Sequence, residues 1–265
     1  MSDGIDTITA AALGALQGLT EFLPVSSSGH VAVGAAFAGI RSPSLALTVA
    51  LHLGTLLATV LLLHRDVGAL LRETVESIRH PSRLRETTEG RLIVAIAIAT
   101  LITAVLGLAL RGPAEAFAAN LRLVGGGFLV SAAVLVASRA AHGRVNDVTW
   151  SMAMAVGVAQ GIAVLPGISR SGITIATAML LGLRGPAAFR FSFLISLPAI
   201  VGAAILEAGG SEGMSSLGAS AWIGGATALV TGYLALVILR RIIVVGRLWM
   251  FALYLVPLGL VLLTR

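Results

Sequence analysis

Apolar runs of nearly membrane-spanning length fill this chain from end to end. Residues 45–63, 92–110, 121–137 and 221–239 each approach the roughly 20 residues that a helix needs to cross a bilayer core. They leave no stretch over for a soluble domain. With 57% hydrophobic and only 11% charged residues among 265, an all-α integral membrane protein is expected, as one polytopic domain over residues 1–265. The opening segment, MSDGIDTITAA, lacks the basic region of a cleavable signal peptide, so the first apolar segment is expected to belong to the mature fold. Cysteine is absent, which excludes disulfides and thiolate metal sites.

A repeat organises the runs. QGLTEFLPVSSSG at 17–29 and QGIAVLPGISRSG at 160–172 align at a shift of 143, with Gln17/Gln160, Gly18/Gly161, Ser26/Ser169, Ser28/Ser171 and Gly29/Gly172 coinciding. The prolines Pro24 and Pro166 fall one residue out of register. After each motif comes a short apolar piece, 30–40 or 172–183, and then three longer ones, near 45–64, 92–110 and 121–138 or near 187–206, 219–239 and 246–263. A piece of about a dozen residues is too short to cross and predicts a re-entrant helical hairpin. Each half, about 1–140 and about 147–265, is then a hairpin plus three transmembrane helices. Three crossings put the second half on the opposite face, which predicts an inverted-topology repeat whose hairpin tips approach each other near the midplane.

All 18 basic residues are arginine, and the net charge of +6 reflects topology, with no nucleic-acid partner expected. Thirteen arginines fall on one face, six of them in 65–91, against Arg41, Arg111, Arg122 and Arg265 on the other. The positive-inside rule makes the richer face cytoplasmic and places both termini outside a cell (inner) membrane. In 65–91, pairs such as Arg72 and Glu76 at helical spacing predict a solvated or interfacial helix. His64, His80 and His142 are expected to be interfacial, Trp150, Trp222 and Trp249 to form an aromatic belt, and Gly125–Gly127 to permit close helix packing.

Ionised groups inside a bilayer cost on the order of 3 kcal/mol each and need a partner or a task. Glu21 and Arg170, one on each tip, are the two clear cases. Gln17 and Glu21 share one helix face, and Pro24 ends that helix. Ser26, Ser27, Ser28, Gly29 and His30 follow. The second tip supplies Ser169, Arg170, Ser171 and Thr174. Helix starts, hydroxyls and an arginine fork make an anion site, and phosphate suits it best. A carboxylate beside phosphate calls for a divalent cation, Mg²⁺ or Ca²⁺, held by Glu21. Phosphoryl transfer is the expected reaction class, with Ser27 as nucleophile and His30 as base, or His30 activating a water, or His30 itself taking the phosphoryl group.

QGLTEFLPVSSSGH and PGISRSGIT resemble the two motifs of the undecaprenyl pyrophosphate phosphatases, the membrane enzymes associated with bacitracin resistance. HLGTLLA from His52 and RFSFLISLPAI from Arg190 are similar to further segments of that family, so the likeness covers most of the chain. The resemblance implies hydrolysis of the terminal phosphate of a polyprenyl pyrophosphate lipid, yielding the monophosphate carrier for cell-envelope synthesis. It implies divalent-metal dependence, a site open to the outer face, and roles in that site for Glu21, Ser27, His30, Ser169, Arg170 and Thr174. Across the two motifs, Glu21, Ser27, His30 and Arg170 are expected to be catalytic and Gln17, Ser26, Ser28, Ser169, Ser171 and Thr174 to bind the substrate. Two positions depart from the family pattern: Gln17 stands where glutamate can occur, and His52 where glutamine is expected. Besides the lipid substrate and the surrounding membrane lipid, a homo-oligomer stays open. A polyprenyl-phosphate flippase or transporter would use the same headgroup site but would not need nucleophile, base and metal carboxylate together.

Overall fold

The computed structural model describes residues 6–38, 45–208 and 218–265; Arg41 and the end of the 30–40 piece lie outside them. All the described elements of any length are helices: α1 (Thr7–Phe22), α2 (Ser27–Ala38), α3 (Leu45–Leu62), α4 (His64–Arg79), α5 (Arg83–Glu86), α6 (Thr88–Ala109), α7 (Arg111–Ala118), α8 (Leu121–Ala137), α9 (Trp150–Ile162), α10 (Arg170–Leu180), α11 (Gly185–Ala208), α12 (Ala219–Val244) and α13 (Ala252–Leu263). Short polar side chains start them where the sequence changes from loop to apolar run. Asp6 accepts from Thr9 N at 2.8 Å at the head of α1, and Asn120, Thr149 and Ser169 cap α8, α9 and α10 in the same way. Leu23, extended before Pro24, stops α1.

Among the described residues, four helices, Thr88–Ala109, Leu121–Ala140, Gly185–Gly202 and Ala219–Val244, are long and apolar enough to cross a membrane. A fifth crossing results if α3 and α4, which meet at 84°, count as one span. The first of the four has a mean hydropathy of 2.7 yet buries only 17% of its window inside the protein. Such a helix is stable only if lipid covers the rest, so this is a multi-pass membrane protein. The segment of the sixth expected crossing, 246–263, comprises a 3₁₀ turn and α13, a continuous apolar helical stretch over Leu248–Leu263 about a turn shorter than a typical span.

Glycines set the closest packing. A Cβ on Gly14 of α1 would lie 2.2 Å from the carbonyl oxygen of Gly224 on α12, and one on Gly157 of α9 would lie 2.8 Å from that of Ala99 on α6. Gly125 on α8 and Gly259 on α13 meet in the same way, whereas Gly126 faces open space. Trp150 and Trp222 are exposed near helix ends, and the guanidinium of Arg139 lies 4.9 Å from the ring centre of Trp249.

Helix α4 carries the exposed apolar residues Leu71, Val75 and Ile78 on one face and charges on the other, as an interfacial helix does. Its ion pairs, however, do not follow the helical Arg72–Glu76 spacing: Asp66 pairs with Arg190 of α11 at 2.7 Å, and Glu73 pairs with Arg83. Glu73 is buried and takes both an Arg83 fork, at 2.7 and 3.1 Å, and the Thr87 hydroxyl, at 2.8 Å. These bonds, Arg83 foremost, hold the Glu73 carboxyl below its usual range and tie α4 to the start of α6.

Candidate active site

The two polar motifs form the breaks between α1 and α2 and between α9 and α10, and the breaks touch. Ser26 takes φ 67°, a left-handed conformation that is uncommon outside glycine. Its surroundings over-determine that strain: Ser26 Oγ accepts from Gly167 N of the other tip at 3.1 Å and from Gly29 N at 3.3 Å. From α8, Ser131 donates to Gly167 O at 3.1 Å and accepts from Ser169 N at 2.8 Å. Helices α2 and α10 thus begin side by side, each with first-turn N–H groups that no intrahelical carbonyl can reach.

Gly167 is where the tips have least room. It has φ +90°, and a Cβ there would sit 2.2 Å from Val124 O. Gly167→Ala is therefore expected to cost about 2–5 kcal/mol, from backbone strain plus overpacking. Thermal unfolding in detergent reads it; an unchanged midpoint would show that the second tip is not close-packed on α8.

Glu21 lies at the centre. Its side chain is 7% exposed and its Oε1 pairs with Arg170 Nη2, across 149 residues of chain. Its Oε2 accepts from Ser27 Oγ at 2.9 Å and from Gln17 Nε2 at 3.2 Å. The pair borders a cavity of about 610 Å³, lined on this side by Glu21, Ser26, Ser27, Ser28, Ser169 and Arg170. The same cavity is lined by His52, Thr100, Thr103 and Gln160, by the apolar Leu108, Val164 and Ile200, and by Arg111.

The remaining expected residues sit behind the wall. Gln17 holds Glu21. Ser171 Oγ is 3.4 Å from Ser169 Oγ, and Thr174 Oγ1 donates to Arg170 O at 2.7 Å and contacts Ser192 Oγ at 2.6 Å. His30 turns from Ser27: its Nδ1 meets Ser26 O at 2.8 Å and its Nε2 meets Tyr254 Oη at 2.7 Å. Sequence reasoning missed Thr100, Thr103 and Gln160 as cavity residues. Gln160 alone gave a signal, as the repeat partner of Gln17.

For a metal, the site offers one carboxylate amid neutral oxygens. Among the described residues no three His, Asp or Glu side chains cluster. That donor set does not make an all-protein cage, but it fits an ion such as Mg²⁺ that takes one or two carboxylates and completes its shell with substrate phosphate oxygens.

Residues 10–261 match the family described as bacitracin resistance protein BacA. The chain is 38% identical over 260 residues to an undecaprenyl-diphosphatase of Desulforapulum autotrophicum, covering 94% of each chain. It is 40% identical over 265 residues to one of Desulfosudis oleivorans, covering 96% of this chain and 97% of the relative. A Korarchaeum cryptofilum undecaprenyl-diphosphatase is 39% identical over 257 residues, with 96% and 97% covered.

Proposed function

Because the chain belongs to the bacitracin resistance protein BacA family, we infer that it is an undecaprenyl-diphosphatase, a membrane enzyme that removes the terminal phosphate of undecaprenyl diphosphate. At atomic level one observation supports this above others: Glu21, Arg170 and two helix starts converge on a cavity that apolar residues such as Leu108, Val164 and Ile200 also line. The charged groups suit the pyrophosphate and the apolar lining suits the isoprenoid.

In this reading the pyrophosphate oxygens take the first-turn N–H groups of α2 and α10, the hydroxyls of Ser28 and Ser169, and the Arg170 fork. Arrival of the substrate gives Arg170 a second anion to pair with and loosens its hold on Glu21 Oε1. Glu21 would then hold a divalent ion, which when bound supplies charge neutralisation at the phosphoryl oxygens. Ser27 is the attacker best placed: it lines the cavity and already donates to a carboxylate. Its oxygen bonds to the terminal phosphorus, its proton passes to Glu21, and the bridging P–O bond breaks to release undecaprenyl phosphate. Water then attacks the phosphorus of the Ser27 phosphoester, Glu21 returns its proton to the departing Ser27 oxygen, and inorganic phosphate leaves with the water oxygen and its hydrogens.

The test is phosphate release from undecaprenyl diphosphate by the purified protein in detergent, with and without EDTA. Metal-dependent release is expected; none from a folded protein with any divalent ion would overturn the assignment. Ser27→Ala is expected to lower release at least a hundredfold, roughly the contribution of an activated nucleophile. Retained release would move the attack to water or to His30.

The inverted repeat belongs to the same reading, and paired contacts support it. Gly14 and Gly157 also stand 143 residues apart. Thr231 of α12 donates to Gly14 O at 3.5 Å, and Thr103 of α6 donates to Gly157 O at 3.2 Å. Helix α1 packs on α12 as α9 packs on α6, and α8 packs on α13, which are the partners that exchange of the halves requires. Ser26 and Ser169 also bond alike, to Gly29 N at 3.3 Å and Gly172 N at 3.2 Å. Arg111, on the arginine-poor face, borders the cavity, which supports a site open to the outer face with both termini on that side.

A further inference from the structure

His30 is held at both ring nitrogens, and the hydrogen bonds have a determined direction. Ser26 O is a carbonyl and can only accept, so Nδ1 carries the hydrogen of that 2.8 Å contact. In the neutral ring Nε2 is then the acceptor, and the Tyr254 hydroxyl must donate to it across 2.7 Å. The two rings lie nearly parallel, at 13° with centroids 5.7 Å apart, and Phe128 meets the imidazole edge-on with centroids 5.5 Å apart. Tyr254 comes from α13, 224 residues along the chain, and is about half exposed, so its burial does not account for the contact.

We propose that Tyr254 is a positioning residue for the phosphatase reaction, acting through His30 on the Ser26–Ser27 tip. The hydroxyl fixes the tautomer and the plane of His30. His30 in turn holds the carbonyl of Ser26, a residue in left-handed backbone whose Oγ anchors the second tip. Ser27, next in the chain, is carried by that same peptide and presents its hydroxyl to Glu21. A bond chain thus runs from α13 to the nucleophile without Tyr254 touching the cavity.

The inference rests on the phosphatase reading, and wild-type turnover is the check on that premise. Tyr254→Phe keeps the ring and deletes one oxygen, so a half-exposed site should fold unchanged; a monodisperse elution profile confirms it. The expected result is a kcat about tenfold lower with KM within about threefold, the signature of a displaced reacting group rather than lost binding. In ¹⁵N-histidine spectra of the detergent-solubilised protein, the His30 Nε2 resonance should move toward that of a free imidazole nitrogen, while the other four histidines keep theirs. Unchanged His30 resonances would overturn the contact itself. A shifted resonance with wild-type kcat would overturn the positioning role. Absence of phosphate release in the wild type would instead count against the phosphatase reading.

Discussion

Arg170→Ala is expected to lower phosphate release about a thousandfold, the scale on which enzymes lose rate when an arginine facing a transferring phosphoryl group is removed. Arg170 opens α10, so the fork and the helix start act on one spot, and the only other arginine on the cavity wall among the described residues is Arg111. The loss has a second component. With Arg170 gone, Glu21 keeps only Ser27 and Gln17, and a buried carboxylate left without its cation costs about 3–5 kcal/mol of stability. The double variant Arg170→Ala/Glu21→Gln removes that stranded charge. It should regain thermal stability in detergent and stay inactive, which separates folding from chemistry. Arg170→Lys keeps the charge and loses the bidentate fork, so an intermediate rate is expected. Near-normal turnover in the folded Ala variant would remove Arg170 from the reaction.

Much of this architecture was legible because a bilayer is an intolerant solvent. Glu21 and Arg170 stand out in apolar surroundings, and each tip carries its own cap and break, Ser26 after Pro24 and Ser169 after Pro166. Local signals reach no farther than a helical turn or two. Glu73 finds Arg83 at ten residues rather than a partner at helical spacing, because the turn after Arg79 folds α5 back on α4. Tyr254 looks like any interfacial aromatic until α13 packs on α8 and brings it to His30. Thr103 is silent for another reason: its hydroxyl satisfies itself on Ala99 O at 2.8 Å, as threonines do throughout membrane helices, and only packing shows that it also meets Gln160 and the cavity. The last apolar segment begins two residues later than apolarity alone suggests, because at Gly246 and Arg247 the chain is still turning, with φ +71° at Gly246.

Glu21→Gln is expected to cost release about as much as loss of Arg170, and the direction of its effect on substrate affinity tells why the carboxylate is there. Two like charges at 4 Å repel by about 4 kcal/mol near a protein surface, where the effective dielectric constant is about 20. If nothing lay between Glu21 and the pyrophosphate, the neutral amide would bind substrate more tightly, so KM would fall even as kcat falls with loss of the group that takes the Ser27 proton. If a divalent ion bridges them, the amide removes the one carboxylate of the ion's shell, so KM rises, kcat falls about a thousandfold, and EDTA no longer changes what remains. The amide is close to isosteric and can still accept from Ser27, so the tip keeps its shape. Gln17 sharpens the comparison. Its Nε2 donates to Glu21 Oε2 at 3.2 Å, so at that position this chain supports the carboxylate with a donor instead of adding a second anion. The whole metal response should therefore pass through Glu21. An EDTA titration of the Gln variant that still follows the wild-type curve would place the ion elsewhere and leave Glu21 as the partner of Arg170 and the acceptor of the Ser27 proton.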